Sequence, residues 1–200
     1  MAHPDSDQII NAVKTLIAYA GDDPEREGVV DTPSRVLSSY GELFKGYAQN
    51  GIDHLTHNRR SNHSLSSAAI NNDPDLETVK YLNHIPFYSY CEHHMLPIIG
   101  HAHIAYLPNQ WRLGSESLID LLEIYARRLQ IQEKMNAQIA DDIQTALQPY
   151  GVGVVINSVH HCMALRGIKK KHVNMLTHHF TGIFKTNPKL QAHLIKRLNA

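Results

Sequence analysis

The chain carries only two cysteines, has no surplus of either charge, and contains no long apolar run. Two cysteines in 200 residues, Cys91 and Cys162, are too few for a disulfide framework and suit an intracellular setting. Lys+Arg and Asp+Glu number 19 each, so the formal net charge is zero. That balance removes diffuse attraction to nucleic acid or an anionic membrane, and neither partner is expected. It also gives little protection against self-association, which fits an obligate oligomer. No apolar run reaches the ~18 residues of a membrane span. The start, MAHPDSDQII, lacks a basic and then apolar leader, so the expectation is no secretory signal and a cytoplasmic location. An apolar fraction of 42% and a charged fraction of 19% exclude a disordered or fibrous chain. The length suits one ordinary domain or one with a modest extension. Histidine, by contrast, is abundant, at 15 residues. Imidazole is the main acid/base group at neutral pH and a common metal ligand.

Along the chain, Asp5 or Ser6 caps a first helix whose stripe is Ile9, Val13, Leu16, Ile17 and Ala20. Thr32-Pro33 opens a second, with Val36, Leu37, Tyr40, Leu43 and Phe44 on one face. Residues 50–75 are rich in Asn, Ser and His and read as a loop. The composition shifts near Glu77, so residues 1–76 are expected to form a helical extension and loop, and 77–200 the main domain. Val79 to Tyr90 is strand-like, and Gly100 to Leu107 alternates His101, His103, Ala105 and Leu107 against Ala102, Ile104 and Tyr106. Leu118 to Leu147 is helical, with a break near Gln130. Val152 to His160 reads as a buried strand, Phe180 to Lys185 as a last strand, and Asn187-Pro188 opens a terminal helix. This order indicates an α+β fold with an antiparallel sheet.

Both cysteines neighbour histidines, in Cys91-Glu92-His93-His94 and His160-His161-Cys162. Zinc takes thiolate sulfur and imidazole nitrogen in tetrahedral geometry. Cys91 and His94 can address one ion if the chain turns between them, and Cys162 offers a third ligand. Three protein ligands leave a position for water, as in a catalytic zinc. A closed Cys2His2 structural site and inert core thiols stay open as alternatives. If the strand persists, His160 shares a face with Cys162 and lies near the metal without ligating it. His93 offers a second such group, and Glu92 can hold a supporting hydrogen bond. Gln132-Glu133 can read the donor and acceptor edge of a guanine-like base or lie on a polar helix face. Arg166-Gly167 with Lys169, Lys170 and Lys171 can hold a phosphate or form a solvated loop. Arg35 is ambiguous alone, and His101 with His103 reads as a satisfied polar face.

Several stretches together resemble the GTP cyclohydrolase I family over most of the chain. They are Asp31 to Arg35, Ile85 to Ser89 running into Cys91-Glu92-His93-His94, Gly100 to Tyr106, Ala126 to Glu133, and His160 to Gly167. The resemblance implies a tunnelling fold, assembled as stacked pentameric rings into a homo-oligomer, a decamer, with sites between subunits. It implies zinc on Cys91, His94 and Cys162, catalytic roles for His93 and His160, and a purine substrate anchored by Gln132 and Glu133; Glu92, placed beside these histidines, is counted with the catalytic group. Phosphate contacts are implied for Arg166 and for Arg35 of a neighbouring subunit. The implied reaction opens the guanine imidazole ring of GTP at C8, releasing formate and leaving dihydroneopterin triphosphate.

One departure stands out. Where the family carries a Ser-Lys pair and a later Arg, this chain has Glu116, Ser117 and Asp120. That exchange of about four charge units should weaken triphosphate binding by several kcal/mol if all these groups face it. The run after Arg166-Gly167 is also altered, to Lys171-His172-Val173-Asn174-Met175-Leu176-Thr177. Two further expectations therefore stand beside the first: a ring-opening hydrolase of a less charged guanine derivative, and a non-catalytic zinc-stabilised oligomer that binds a purine or pterin.

Overall fold

The computed structural model describes residues 4–62, 76–166, 169–170 and 173–199. The chain divides into two compact units, one up to Lys45 and one from Gly46 onward. The first holds α1 (Ser6–Tyr19) and α2 (Thr32–Leu43), which pack on each other. Asp5 and Gln8 close a capping box on α1: Gln8 N donates to Asp5 Oδ1 at 2.8 Å and Asp5 N to Gln8 Oε1 at 3.0 Å.

The second unit runs α3 (Gly51–Asn58), β1 (Arg60–Ser61), β2 (Lys80–Cys91), β3 (Pro97–Leu107), β4 (Trp111–Arg112), α4 (Ser115–Ala126) and β5 (Leu129–Gln130). It continues with α5 (Gln132–Leu147), β6 (Gly151–His160), α6 (His161–Ala164), β7 (Asn174–Phe180), α7 (Ile183–Thr186) and α8 (Pro188–Lys196). Five strands form one sheet in the order β5-β2-β3-β6-β7, antiparallel except where β5 runs parallel to β2. β1 and β4 form a separate two-stranded ribbon.

Period-two patterning gives the sheet two different faces. Ala102, Ile104 and Tyr106 of β3 and Val152, Val154 and Ile156 of β6 share a core with Leu121, Leu122, Met135, Ile139 and Ile143 of α4 and α5. Ala105, Leu107 and Val155 join Phe180, Phe184, Leu190 and Leu194 in a second core. No helix among the described residues is long and apolar enough to cross a membrane.

The α+β architecture agrees with the sequence reading, and three local expectations change. Residues 51–58, read as loop, form α3, and 63–75 of that stretch lie outside the described residues. Asn50 caps α3 by accepting from Asp53 N at 3.2 Å, and buried Leu55 anchors it. The last strand is β7, ending at Phe180, and not Phe180 to Lys185. Gly182, at φ +50°, turns the chain there into α7. Finally, β6 does not persist to Cys162, because α6 begins at His161.

Candidate metal centre

The site grows from one hairpin and one strand end. After β2 the chain reverses between Cys91 and Leu96: Met95 N donates to Cys91 O at 2.8 Å and Cys91 N to Leu96 O at 2.9 Å. Met95 takes the left-handed conformation, φ +54°, that the reversal needs. The turn folds His94 back, so that Cys91 Sγ and His94 Nδ1 lie 3.7 Å apart. Glu92 N donates to Gln130 O at 3.0 Å, pinning the turn to β5. The antiparallel register of β3 and β6 sets Ile98 opposite His160. The end of β6 therefore arrives beside the start of β3, and α6 brings in Cys162. The ligand atoms of Cys91, His94 and Cys162 all lie within 4.8 Å of one another.

Cys91 is buried, Cys162 half-buried and His94 exposed. Burial pushes the Cys162 thiol up, the Cys91 sulfur adds to that, and Arg166 partly opposes it. Two sulfurs and an imidazole nitrogen at such close range suit a shared cation, which stabilises cysteine as thiolate.

His160, at the end of β6, is half-buried. Burial draws its imidazole down in pKa, and the nearby Glu133 carboxylate opposes this. Its Nε2 lies 2.9 Å from Gln132 Oε1. His93 is exposed, with Nε2 3.9 Å from Glu92 Oε1. Glu92 also lies 4.0 Å from Lys134 Nζ.

The two members of the Gln132-Glu133 pair differ sharply. Glu133 is exposed, but Gln132 is fully buried and its carboxamide is bonded at both ends. Arg166 is exposed, and Lys170 N is tied to Met163 O at 3.1 Å. Gly167 and Lys171 lie outside the described residues. Arg35, in the first unit, is paired with Asp31 at 3.1 Å. In the first turn of α4, Glu116 is exposed and Ser117 half-buried, and Asp120 Oδ2 lies 3.7 Å from His54 Nε2.

His103 is buried, and the His84 ring centroid lies 5.0 Å from that of His103 and 5.3 Å from that of His101. Sequence reasoning missed Ser158, Thr177 and Asn136, which line the polar end of the α5–sheet interface. Their one legible signal is Ser158 at i−2 to His160, on the same strand face.

The GTP cyclohydrolase I family profile matches residues 9–199. A GTP cyclohydrolase 1 of Allorhizobium ampelinum is 47% identical over 186 residues, covering 93% of this chain and 87% of that one. One from Sinorhizobium fredii is 46% identical, covering 98% and 90%. The crystal structure of an apo archaeosine synthase QueF-Like protein covers 52% of this chain and 94% of its own, with TM-score 0.44 and 17% identity. The class is thereby defined: an enzyme, of the hydrolase type. The chain belongs to the GTP cyclohydrolase I family.

Proposed function

We propose that this chain opens the imidazole ring of guanine in GTP at C8, releasing formate and yielding 7,8-dihydroneopterin triphosphate. The supporting observation is the convergence of Cys91, His94 and Cys162 from two separate elements, in a chain of this family. Two sulfurs and one imidazole nitrogen suit zinc. Among the described residues, no fourth Cys, His, Asp or Glu joins that group, which suits an open site better than a closed one. When bound, zinc supplies Lewis acidity that acidifies water near neutral pH.

Opening the ring means breaking C8–N bonds. Each departing nitrogen must receive a proton, and each attacking water must lose one. His160 is assigned that transfer, at a ring nitrogen, with His93 as the second group and Glu92 steadying it. The exposed Glu133 carboxylate accepts from the N1–H and 2-amino donors of guanine. Arg166, and Arg35 from a neighbouring subunit, are assigned to phosphate. The working enzyme is proposed to be a cytoplasmic homo-oligomer, a decamer by family resemblance.

A second reading, hydrolysis of a guanine derivative without the triphosphate, is favoured by Glu116 in the first turn of α4 and Asp120 one turn on. Formate release from GTP, GMP, guanosine and guanine by the zinc-loaded protein separates the two. GTP is expected to be turned over fastest. Turnover restricted to the unphosphorylated purines would replace the first reading with the second, and binding without formate would leave a purine- or pterin-binding oligomer.

A further inference from the structure

Gln132 occupies the first turn of α5 with none of its surface exposed. Its Nε2 lies 3.0 Å from Ile156 O, 3.0 Å from Met175 O and 2.8 Å from Thr177 Oγ1. The first two are backbone carbonyls, which only accept. The nitrogen end of the carboxamide must therefore face them, because a flipped amide would set oxygen against two oxygens. Thr177 is held in turn by Asn136 Nδ2 at 2.9 Å. The oxygen end faces the other way, where it accepts from Ser158 Oγ and lies against His160 Nε2.

A carboxamide oxygen cannot donate, so the hydrogen of that last contact belongs to His160 Nε2. In a neutral imidazole this leaves Nδ1 as the bare nitrogen. We infer that Gln132, oriented by Thr177 and Ser158, is a positioning residue that fixes the His160 ring and its tautomer, so that Nδ1 exchanges protons with the substrate. The inference rests on the function proposed above. It assigns Gln132 a task other than reading the purine: a fully enclosed carboxamide with both ends bonded has no group left for a base edge. Glu133, the exposed neighbour, keeps that task alone.

The two roles separate in a double-mutant cycle on the zinc-loaded enzyme. Gln132→Met should lower kcat for GTP about 100-fold, the range of a lost acid/base group, with KM nearly unchanged. In a His160→Ala background the same change should cost no further kcat, because a residue that acts through His160 has nothing left to act on. Equilibrium dialysis should give the His160→Ala and His160→Ala/Gln132→Met proteins GTP Kd values within about threefold of each other. A larger loss of affinity, or a further fall in kcat in the double variant, would overturn the inference. Should Gln132→Met not fold with full zinc, Thr177→Val takes its place in the cycle. A fall of several-fold in kcat is then expected, absent in the His160→Ala background and restored by Thr177→Ser. An unchanged kcat would count against the role. Wild-type protein silent toward every purine would refute the proposed reaction instead, a result distinct from any of these.

Discussion

Tyr125 donates a 2.6 Å hydrogen bond from its hydroxyl to Asp142 Oδ2, joining α4 to α5 within the main core. Burial lifts the Asp142 carboxyl above the usual aspartate range, while the Tyr125 bond and Arg128 pull the other way. A carboxyl raised in the folded state helps stability below its unfolded pKa and loses that help as pH rises through the folded value. Tyr125→Phe removes a group that favours the charged form, so it should raise Asp142 further. The expected cost is about 2 kcal/mol at pH 7 and less near pH 4. Urea unfolding at both pH values measures it, and equal costs would refute the account.

His103 titrates in the opposite sense. Burial, then the nearby His84 and His101, lowers its pKa to about 4. The unfolded chain binds that proton near the ordinary histidine value, so stability is full above it and falls as pH drops toward 4. The loss from this one group should approach about 3 kcal/mol. His103→Gln should flatten the acid limb of the stability curve, and an unaltered limb would show that other groups set it.

The metal ligands and the proposed proton carrier should separate cleanly. Cys162→Ser should abolish stoichiometric zinc and formate release together, because one of two thiolates is lost. His160→Ala should keep the zinc and lose about 100-fold or more in turnover. Zinc content by elemental analysis alongside a formate assay decides both. A zinc-replete, active Cys162→Ser protein would remove Cys162 from the centre.

Gly46 is a packing constraint. Its N–H donates to Arg127 O at 3.1 Å, and Arg128 Nε donates back to Gly46 O at 3.0 Å. A Cβ there would meet the Ile124 and Arg127 carbonyl oxygens, which are backbone and cannot swing away. Gly46→Ala should cost about 3 kcal/mol, read as a lowered denaturation midpoint with zinc content preserved. A midpoint within error of wild type would show that the segment can move aside.

Much of this protein is legible from local pattern. The alternation of Gly100 to Leu107 sorts its residues onto two faces, and those faces are the two cores. The β-branched run at Val152 to His160 is the buried strand. Cys91 and His94, three apart before Leu96-Pro97, need only a tight turn to meet, and the turn is there. α3 is less visible because an eight-residue helix with one fully buried leucine owes its stability to packing more than to its own periodicity. β7 is less visible because it lies at the sheet edge and sets adjacent Met175 and Leu176 among Asn174, Thr177, His178 and His179, with no apolar–polar alternation.

Residue chemistry and spacing alone therefore determined the ligand types, the candidate proton carriers and the strand faces, since each follows from side-chain identity and a short backbone repeat. Only the tertiary structure decided that Cys162 reaches the hairpin and that Gln132 is enclosed while Glu133 is not. Those outcomes depend on β3–β6 register and on where β6, β7 and α5 meet. Such a meeting joins residues more than forty positions apart, and no local periodicity encodes it.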